Sequence, residues 1–193
     1  FHRNGGAAAQ RLSPRARFNF QDQQDTPKLD AIPDAYGTGV VIDREGHILT
    51  CWHLLKGRHK KARKFIRVAG QPLWCEVRVK GADPFSDLAV LEVLPGKAGP
   101  LKLEPIALGG TDGLRTGQFV VALGNPYAIA RDGEVSASWG IVANLKRKAP
   151  PKEGKPLGKQ RPTMHHFGTL IQTDAKLNLG TSGGPLLNLR GEM

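Results

Sequence analysis

The segment 173–185 reads TDAKLNLGTSGGP and places one serine, Ser182, among three glycines. Strand-like runs flank it at residues 168–172 and 186–189, so we expect a tight turn between two strands. Glycine adopts positive φ and lets the backbone approach a ligand closely. Such a turn exposes a serine hydroxyl and lets neighbouring backbone N–H groups converge on one point, as acyl transfer requires. Taken alone, the segment fits a plain hairpin turn equally well.

A serine becomes a nucleophile when a base removes its proton and a third group orients that base. The chain has six histidines, and His53 has the most suggestive setting. It closes the run GTGVVIDREGHILTCWH, in which strand-like segments at 38–43 and 47–52 flank a turn. A side chain at the end of a strand, where the chain turns, is well placed to be held in a cleft. The alternative is an ordinary half-buried histidine.

Asp87 is the predicted orienting acid. It lies in the run GADPFSDLAVLEV, immediately before an apolar strand at residues 88–93. Asp83 precedes a proline and has the chemistry of a turn residue. Asp174 competes for the orienting role, but it lies only eight residues before Ser182, and we expect it to shape a pocket or to hydrogen-bond the loop.

The chain order His53, Asp87, Ser182 is the order found in chymotrypsin. With these residues in place, the chain resembles the HtrA/Deg family of trypsin-like serine proteases. The resemblance spans roughly residues 37–193 and rests on His53 and on segments with strand-compatible spacing. These segments are GTGVVIDREGHILT, DPFSDLAVL, VVALGNPY at 120–127, GIV at 140–142 and IQTDAKLNLGTSGGPLLN at 171–188.

Composition favours an all-β fold. The 193 residues include 24 glycines and 14 prolines, with many short apolar runs and no long 3.6-residue periodicity. The resemblance implies two six-stranded-type antiparallel β-barrels, as in chymotrypsin, with the active site in the cleft between them. Strands are predicted near 38–43, 47–52, 63–69, 73–80, 87–93, 118–123, 135–144, 168–173 and 184–189, with a helical turn at 54–57.

The predicted organisation has four parts. Residues 1–36 form a polar loop or N-terminal arm, 37–100 the first barrel, 101–117 the connection, and 118–193 a truncated second barrel. The chain begins with Phe1 and shows no signal peptide, which we interpret as a fragment lacking its final strand or strands. It has no run of 18 apolar residues, so we expect no transmembrane helix.

Cysteine usage leaves two interpretations open. The chain has only Cys51 and Cys75, so no disulfide framework holds the fold. The two residues either form a single bridge or remain free thiols.

Two basic blocks account for the net charge of +11. One begins at Lys56 and ends at Lys64, and the other begins at Lys146 and ends at Arg161. They are interpreted either as solvated surface loops or as a surface for a polyanion. Neither block is interleaved with aromatic residues, which argues against nucleic-acid binding as the main function.

The resemblance also implies a mechanism. His53 is the base, Asp87 its orienting acid and Ser182 the nucleophile, without a metal or a cofactor. The oxyanion hole comes from the backbone of Gly180, Thr181 and Ser182. The substrate pocket is lined by Ile171, Thr173, Lys176, Leu177, Asn178 and Leu179. A lysine, Lys176, stands where a trypsin-type pocket has an acid, so we expect small aliphatic residues before the cleaved bond.

The expected partners and location follow from the family. Substrates are unfolded or misfolded proteins and peptides, the subunits form a homotrimer, and a PDZ domain follows the fragment. The expected location is extracytoplasmic, in a bacterial periplasm or cell envelope. The alternative function is a non-catalytic double barrel that binds peptides or a polyanion.

Overall fold

The computed structural model describes residues 35–56, 62–71, 74–95, 101–129, 133–148, 164 and 168–193. Most of the predicted N-terminal arm and most of both basic blocks lie outside these residues. The described residues form nine strands: β1 (Val40–Val41), β2 (His47–Cys51), β3 (Lys64–Arg67), β4 (Trp74–Asp83), β5 (Leu88–Val93), β6 (Phe119–Gly124), β7 (Ser136–Arg147), β8 (Leu170–Thr173) and β9 (Leu186–Leu187). In this part of the chain, no helix has the length and apolar content needed to cross a membrane.

The strands form two antiparallel sheets. The first has the order β1-β2-β5-β4-β3 and the second the order β8-β7-β6-β9. The predicted all-β class with two sheet-forming halves is confirmed, although the described residues supply five and four strands rather than six and six. The predicted domain boundaries stay predictions.

Alternating burial explains the first sheet. In β5, Ala89 and Leu91 point inward and are 1% and 6% exposed. They pack with Ile48 of β2 and Val77 of β4 in one hydrophobic cluster. The strands β2, β4 and β5 therefore each bury one face, as period-2 patterning requires.

The segment between the sheets is hydrogen-bonded to β1 and to the chain that follows β9. The N–H of Ile106 donates to the carbonyl of Val41 at 3.0 Å, on the first sheet. The N–H of Met193, in the segment after β9, donates to the carbonyl of Ala107 at 2.9 Å. These backbone bonds link the connecting segment to the first sheet and to the chain that follows the second.

The helical turn differs from its prediction. It is a 3-10 helix at Trp52–Leu54, so it contains His53 instead of following it. The shift has a local cause, because β2 already ends at Cys51, where its last partner on β5 is Leu88.

Candidate active site

His53 and Asp87 meet because of the pairing between β2 and β5. Cys51, the last residue of β2, pairs with Leu88, the first residue of β5. The residues just outside these two ends are therefore neighbours. A backbone hydrogen bond from the N–H of Trp52 to the carbonyl of Asp87, 2.8 Å long, closes this corner of the sheet.

The carboxylate of Asp87 holds His53 through two hydrogen bonds. The backbone N–H of His53 donates to Oδ1 at 2.8 Å, and its ring nitrogen Nδ1 lies 2.6 Å from Oδ2. An ionised carboxylate only accepts hydrogen bonds, so this network assigns the ring proton to Nδ1. The other nitrogen, Nε2, then keeps its lone pair. A histidine in this state is arranged as a base.

Asp87 has an unusual backbone conformation. Its φ is +59°, in the left-handed region that non-glycine residues seldom occupy and that clusters at functional sites. The preceding turn is built by Asp83, whose carboxylate accepts the hydroxyl of Ser86 at 2.6 Å and the N–H of Phe85 at 2.9 Å. These bonds lower the pKa of the Asp83 carboxyl, the Ser86 hydroxyl contributing most. Asp83 is thus the turn residue, as predicted.

Ser182 lies on a compact turn before β9. The N–H and hydroxyl of Thr181 donate to the carbonyl of Asn178 at 3.1 and 2.7 Å, and the N–H of Gly184 donates to the carbonyl of Thr181 at 2.9 Å. Within the described residues, the Ser182 hydroxyl makes no hydrogen bond to His53. Catalytic hydrogen bonds often tighten only when substrate is bound.

Two backbone N–H groups beside Ser182 remain available to an oxygen. Gly180 has a φ of +102°, and its carbonyl accepts the hydroxyl of Thr38 at 2.8 Å. Of the three N–H groups predicted for an oxyanion hole, that of Thr181 is used inside the turn. In the part of the chain that the structure describes, those of Gly180 and Ser182 donate to no protein acceptor.

Thr38 joins the serine turn to the first sheet. Its N–H donates to the carbonyl of Ser182 at 2.9 Å, and its hydroxyl accepts the N–H of Asn125 at 3.1 Å. Its carbonyl in turn accepts the hydroxyl of buried Thr50 at 2.7 Å. Thr38 was not among the site residues predicted from the sequence. The signal was present as a threonine between two glycines, at residues 37–39.

The six predicted pocket residues separate into two groups. Ile171, Thr173 and Leu177 line one shallow groove together with Arg147 and Lys148. Lys176, Asn178 and Leu179 lie outside that groove on the exposed loop before Ser182. Their carbonyls accept hydrogen bonds from Ser138, Thr181 and Tyr127, respectively. Their role in a specificity pocket stays a prediction.

The competing acid and a second His–Asp pair lie elsewhere. Asp174 accepts the N–H of Ile141 at 2.7 Å, so its hydrogen bond goes to strand β7 and not to the loop. His47 contacts Asp43 through Nδ1, but its Nε2 lies 2.7 Å from the ammonium group of Lys80. That contact occupies the lone pair that a base needs.

Cys51 and Cys75 are free thiols, which decides between the two interpretations of the sequence. Burial raises the pKa of the Cys51 thiol, and the charge of Asp87 raises it further. The nearby backbone N–H of Gly183 lowers the pKa of this thiol and so opposes the shift. Cys51 therefore contacts both the serine turn and the surroundings of the His–Asp pair.

Known proteins with similar sequences identify the family. The family model of the trypsin-like peptidase domain matches residues 37–193. Protease Do-like 5 of Arabidopsis thaliana chloroplasts is 34% identical over 162 residues, covering 80% of this chain and 45% of that protein. The periplasmic pH-dependent serine endoprotease DegQ of Escherichia coli K12 is 34% identical over 190 residues, covering 97% of this chain and 36% of DegQ.

Solved structures indicate the same family. The crystal structure of Deg5 matches with a TM-score of 0.62 and 34% identity, covering 81% of this chain and 70% of that one. The HtrA-type protease AlgW with a tripeptide matches with a TM-score of 0.60 and 29% identity, covering 81% and 44%. This chain spans less than half of the two curated relatives named above. By sequence and by fold, it belongs to the HtrA/Deg family of trypsin-like serine proteases.

Proposed function

We propose that this protein is a serine endopeptidase that hydrolyses peptide bonds of unfolded or misfolded proteins. The observation that carries the proposal is the pair of hydrogen bonds from His53 to Asp87, at 2.6 and 2.8 Å. They leave one imidazole nitrogen free to accept a proton. Family membership and the Thr38 contacts to the serine turn support Ser182 as the group that supplies it.

The reaction follows from these roles. Nε2 of His53 takes the proton of the Ser182 hydroxyl as the serine oxygen attacks the scissile carbonyl. Asp87 keeps the imidazole in the correct tautomer and stabilises the imidazolium that forms. The N–H groups of Gly180 and Ser182 stabilise the oxyanion, and each such donor contributes about 10²- to 10³-fold in rate. His53 then protonates the leaving amine, and water hydrolyses the acyl-enzyme.

Substrate class and setting are further parts of the proposal. The relatives include periplasmic endoproteases, and AlgW has been solved with bound peptides. We infer an extended peptide substrate, with small aliphatic residues before the cleaved bond, and an extracytoplasmic location. A homotrimer and a downstream PDZ domain stay predictions from the family.

A fluorophosphonate probe tests the proposal, because it reacts covalently with an activated serine. We expect one adduct, which peptide mass spectrometry maps to Ser182 and which disappears in Ser182→Ala. Ser136→Ala, at the exposed start of β7, is the matched control and keeps the adduct.

The opposite result is equally informative. Wild-type protein that stays unlabelled, with and without unfolded protein present, contradicts the endopeptidase. It favours a binding module, which is then distinguished by salt-dependent retention of the Ser182→Ala variant on heparin.

A further inference from the structure

The thiol of Cys51 lies against the His–Asp pair, and the proposed reaction does not use it. Its Sγ, a ring nitrogen of His53 and a carboxylate oxygen of Asp87 all lie within 4.8 Å of one another. All three residues are half-buried. Sulfur, imidazole nitrogen and carboxylate oxygen are the three protein ligand types that Zn²⁺ uses. This is a cluster of three different metal-ligating atoms in one corner of the fold.

The spacing of the cluster suits a small tetrahedral cation. With Zn–N and Zn–O bonds of about 2.0 Å and a Zn–S bond of about 2.3 Å, the ligand atoms of a tetrahedral site stand about 3.3–3.5 Å apart. The 2.6 Å contact between His53 Nδ1 and Asp87 Oδ2 opens by about 0.7 Å to reach this separation. The sulfur of Cys51, which lies within 4.8 Å of the other two ligand atoms, moves toward them to reach the same separation.

The site is also reachable from solvent. The side chains of His53 and Asp87 are 38% and 26% exposed, so a hydrated cation can enter from the cleft. Three protein ligands leave a fourth position for water, as in open zinc sites. The thiol lies near the backbone of Gly183 and supplies the sulfur ligand.

We propose that Cys51, His53 and Asp87 together bind a thiophilic divalent cation such as Zn²⁺, and that its binding switches off the catalytic base. The cation displaces the Cys51 thiol proton, which leaves to solvent, and coordinates the thiolate. If it binds Nδ1 of His53, the ring proton moves to Nε2, which then accepts no proton from Ser182. If it binds Nε2, the lone pair is occupied. Either mode removes the base.

The inhibitory half of this inference rests on the proposed endopeptidase, whereas metal binding does not. Metal binding and inhibition are therefore measured in separate experiments. Co²⁺ is the probe for binding, because it occupies zinc sites and gives a near-ultraviolet charge-transfer band when a thiolate is a ligand. The Ser182→Ala protein is used, so that proteolysis does not interfere.

We expect one equivalent of Co²⁺ to produce the thiolate band, and Zn²⁺ to abolish it by displacement. Cys51→Ala removes the band. The only other cysteine in the chain, Cys75, provides the matched control, and Cys75→Ala keeps the band. Asp87→Asn weakens binding without removing the thiolate signature. Absence of the band, or its loss with Cys75→Ala and not with Cys51→Ala, overturns the site.

Fluorophosphonate labelling of Ser182 measures the inhibitory half. We expect saturating Zn²⁺ to slow labelling by about 10³-fold or more, which is the scale of a histidine held in the wrong tautomer. In Cys51→Ala, the same concentration of Zn²⁺ does not slow labelling relative to that variant's own rate without metal. Labelling that is equally fast with and without Zn²⁺ in the wild type, despite a Co²⁺–thiolate band, overturns the inhibitory half. Protein that is never labelled contradicts the endopeptidase and leaves the band as the test of binding.

Discussion

Thr38 and Gly180 are 142 residues apart in the chain, and the hydroxyl of Thr38 donates a 2.8 Å hydrogen bond to the carbonyl of Gly180. Because a peptide unit is planar and Gly180 has a φ of +102°, anchoring this carbonyl fixes the geometry of the serine turn. The same hydroxyl accepts the N–H of Asn125 at 3.1 Å. One side chain, two residues before β1, therefore bonds to the backbone of both the serine turn and the segment after β6.

Replacing Thr38 by valine tests this link. Thr38→Val keeps the shape of the side chain but removes the hydroxyl, leaving the carbonyl of Gly180 and the N–H of Asn125 without this partner. We expect the free energy of unfolding to fall by about 1–3 kcal/mol and labelling of Ser182 to slow by at least about tenfold. Thr38→Ser keeps the hydroxyl and remains close to wild type. Equal labelling rates for Thr38→Val and Thr38→Ser contradict the positioning role.

The orienting role of Asp87 is tested by Asp87→Asn. Asparagine tolerates the left-handed backbone conformation, so the fold is retained, but its amide nitrogen no longer selects the correct tautomer of His53. We expect kcat to fall by about 10⁴-fold, with an unchanged circular dichroism spectrum. Asp43→Asn makes the same substitution in the other His–Asp pair and leaves kcat unaffected. A loss below about tenfold in Asp87→Asn excludes Asp87 as the orienting acid.

Crowding around the serine turn predicts a large cost for Gly183→Ala. Gly183 has a φ of +85°, and an added Cβ overlaps the carbonyl oxygen of Thr38 and the hydroxyl of Thr50. Gly191 is the control, because its φ is +77° and an added Cβ has no atom within 4 Å. Gly191→Ala is therefore expected to lower the free energy of unfolding by about 1–2 kcal/mol, because alanine must adopt the left-handed conformation. Gly183→Ala is expected to lower it by more. Urea unfolding of both variants measures the difference, and equal losses refute the crowding.

Backbone strain near the site predicts a stabilising substitution. Ala128 has a φ of +52°, directly after Tyr127, whose N–H donates to the carbonyl of Leu179 at 2.7 Å. Glycine occupies this region without the Cβ penalty, so Ala128→Gly is expected to raise the free energy of unfolding by about 0.5–1 kcal/mol. Ala137→Gly, within β7, has the opposite sign because glycine weakens a strand. A lower midpoint of unfolding for Ala128→Gly contradicts the prediction.

Acid is expected to destabilise the fold through its arginine–glutamate pairs. Hydrogen bonds from Arg63, Arg78 and Arg190 hold the pKa of Glu76, Glu92 and Glu192 below the ordinary value of 4.5. A lowered carboxyl pKa stabilises the fold above the unfolded value, and this contribution is lost as the pH falls through the folded value. The thermal midpoint should therefore drop below about pH 4.5, and less steeply in 1 M salt, which screens exposed pairs.

A matched pair of variants checks this pH dependence. Glu92 contacts Arg78 at 2.7 Å, and Glu92→Gln is expected to reduce the slope with which the thermal midpoint falls at acid pH. Glu45→Gln leaves it unchanged, since Glu45 makes no side-chain ion pair within the described residues. An identical slope in both variants argues against ion pairs as the cause.

Local patterns predicted the corner of the fold that holds the site. The strands ending near His53 and beginning after Asp87 were visible in the sequence, and their pairing brings the two residues together. Bonds between distant segments were not visible. The contacts of Thr38 with Gly180 and Asn125 depend on how the sheets meet. Likewise, the positive φ of Asp87 arises from the turn around it, since aspartate itself does not require it.

The long-range link through Thr38 also has a consequence for the order of events during synthesis. A growing chain that has reached residue 150 already contains both members of the His–Asp pair, but the turn that Thr38 anchors has not been made. Contacts over such separations form slowly, because a long loop must close first. Under the proposed function, cleaving activity arises only when nearly the whole length to Ser182 is available to fold. A half-made protein thus carries no completed centre that could cut its own unfolded remainder.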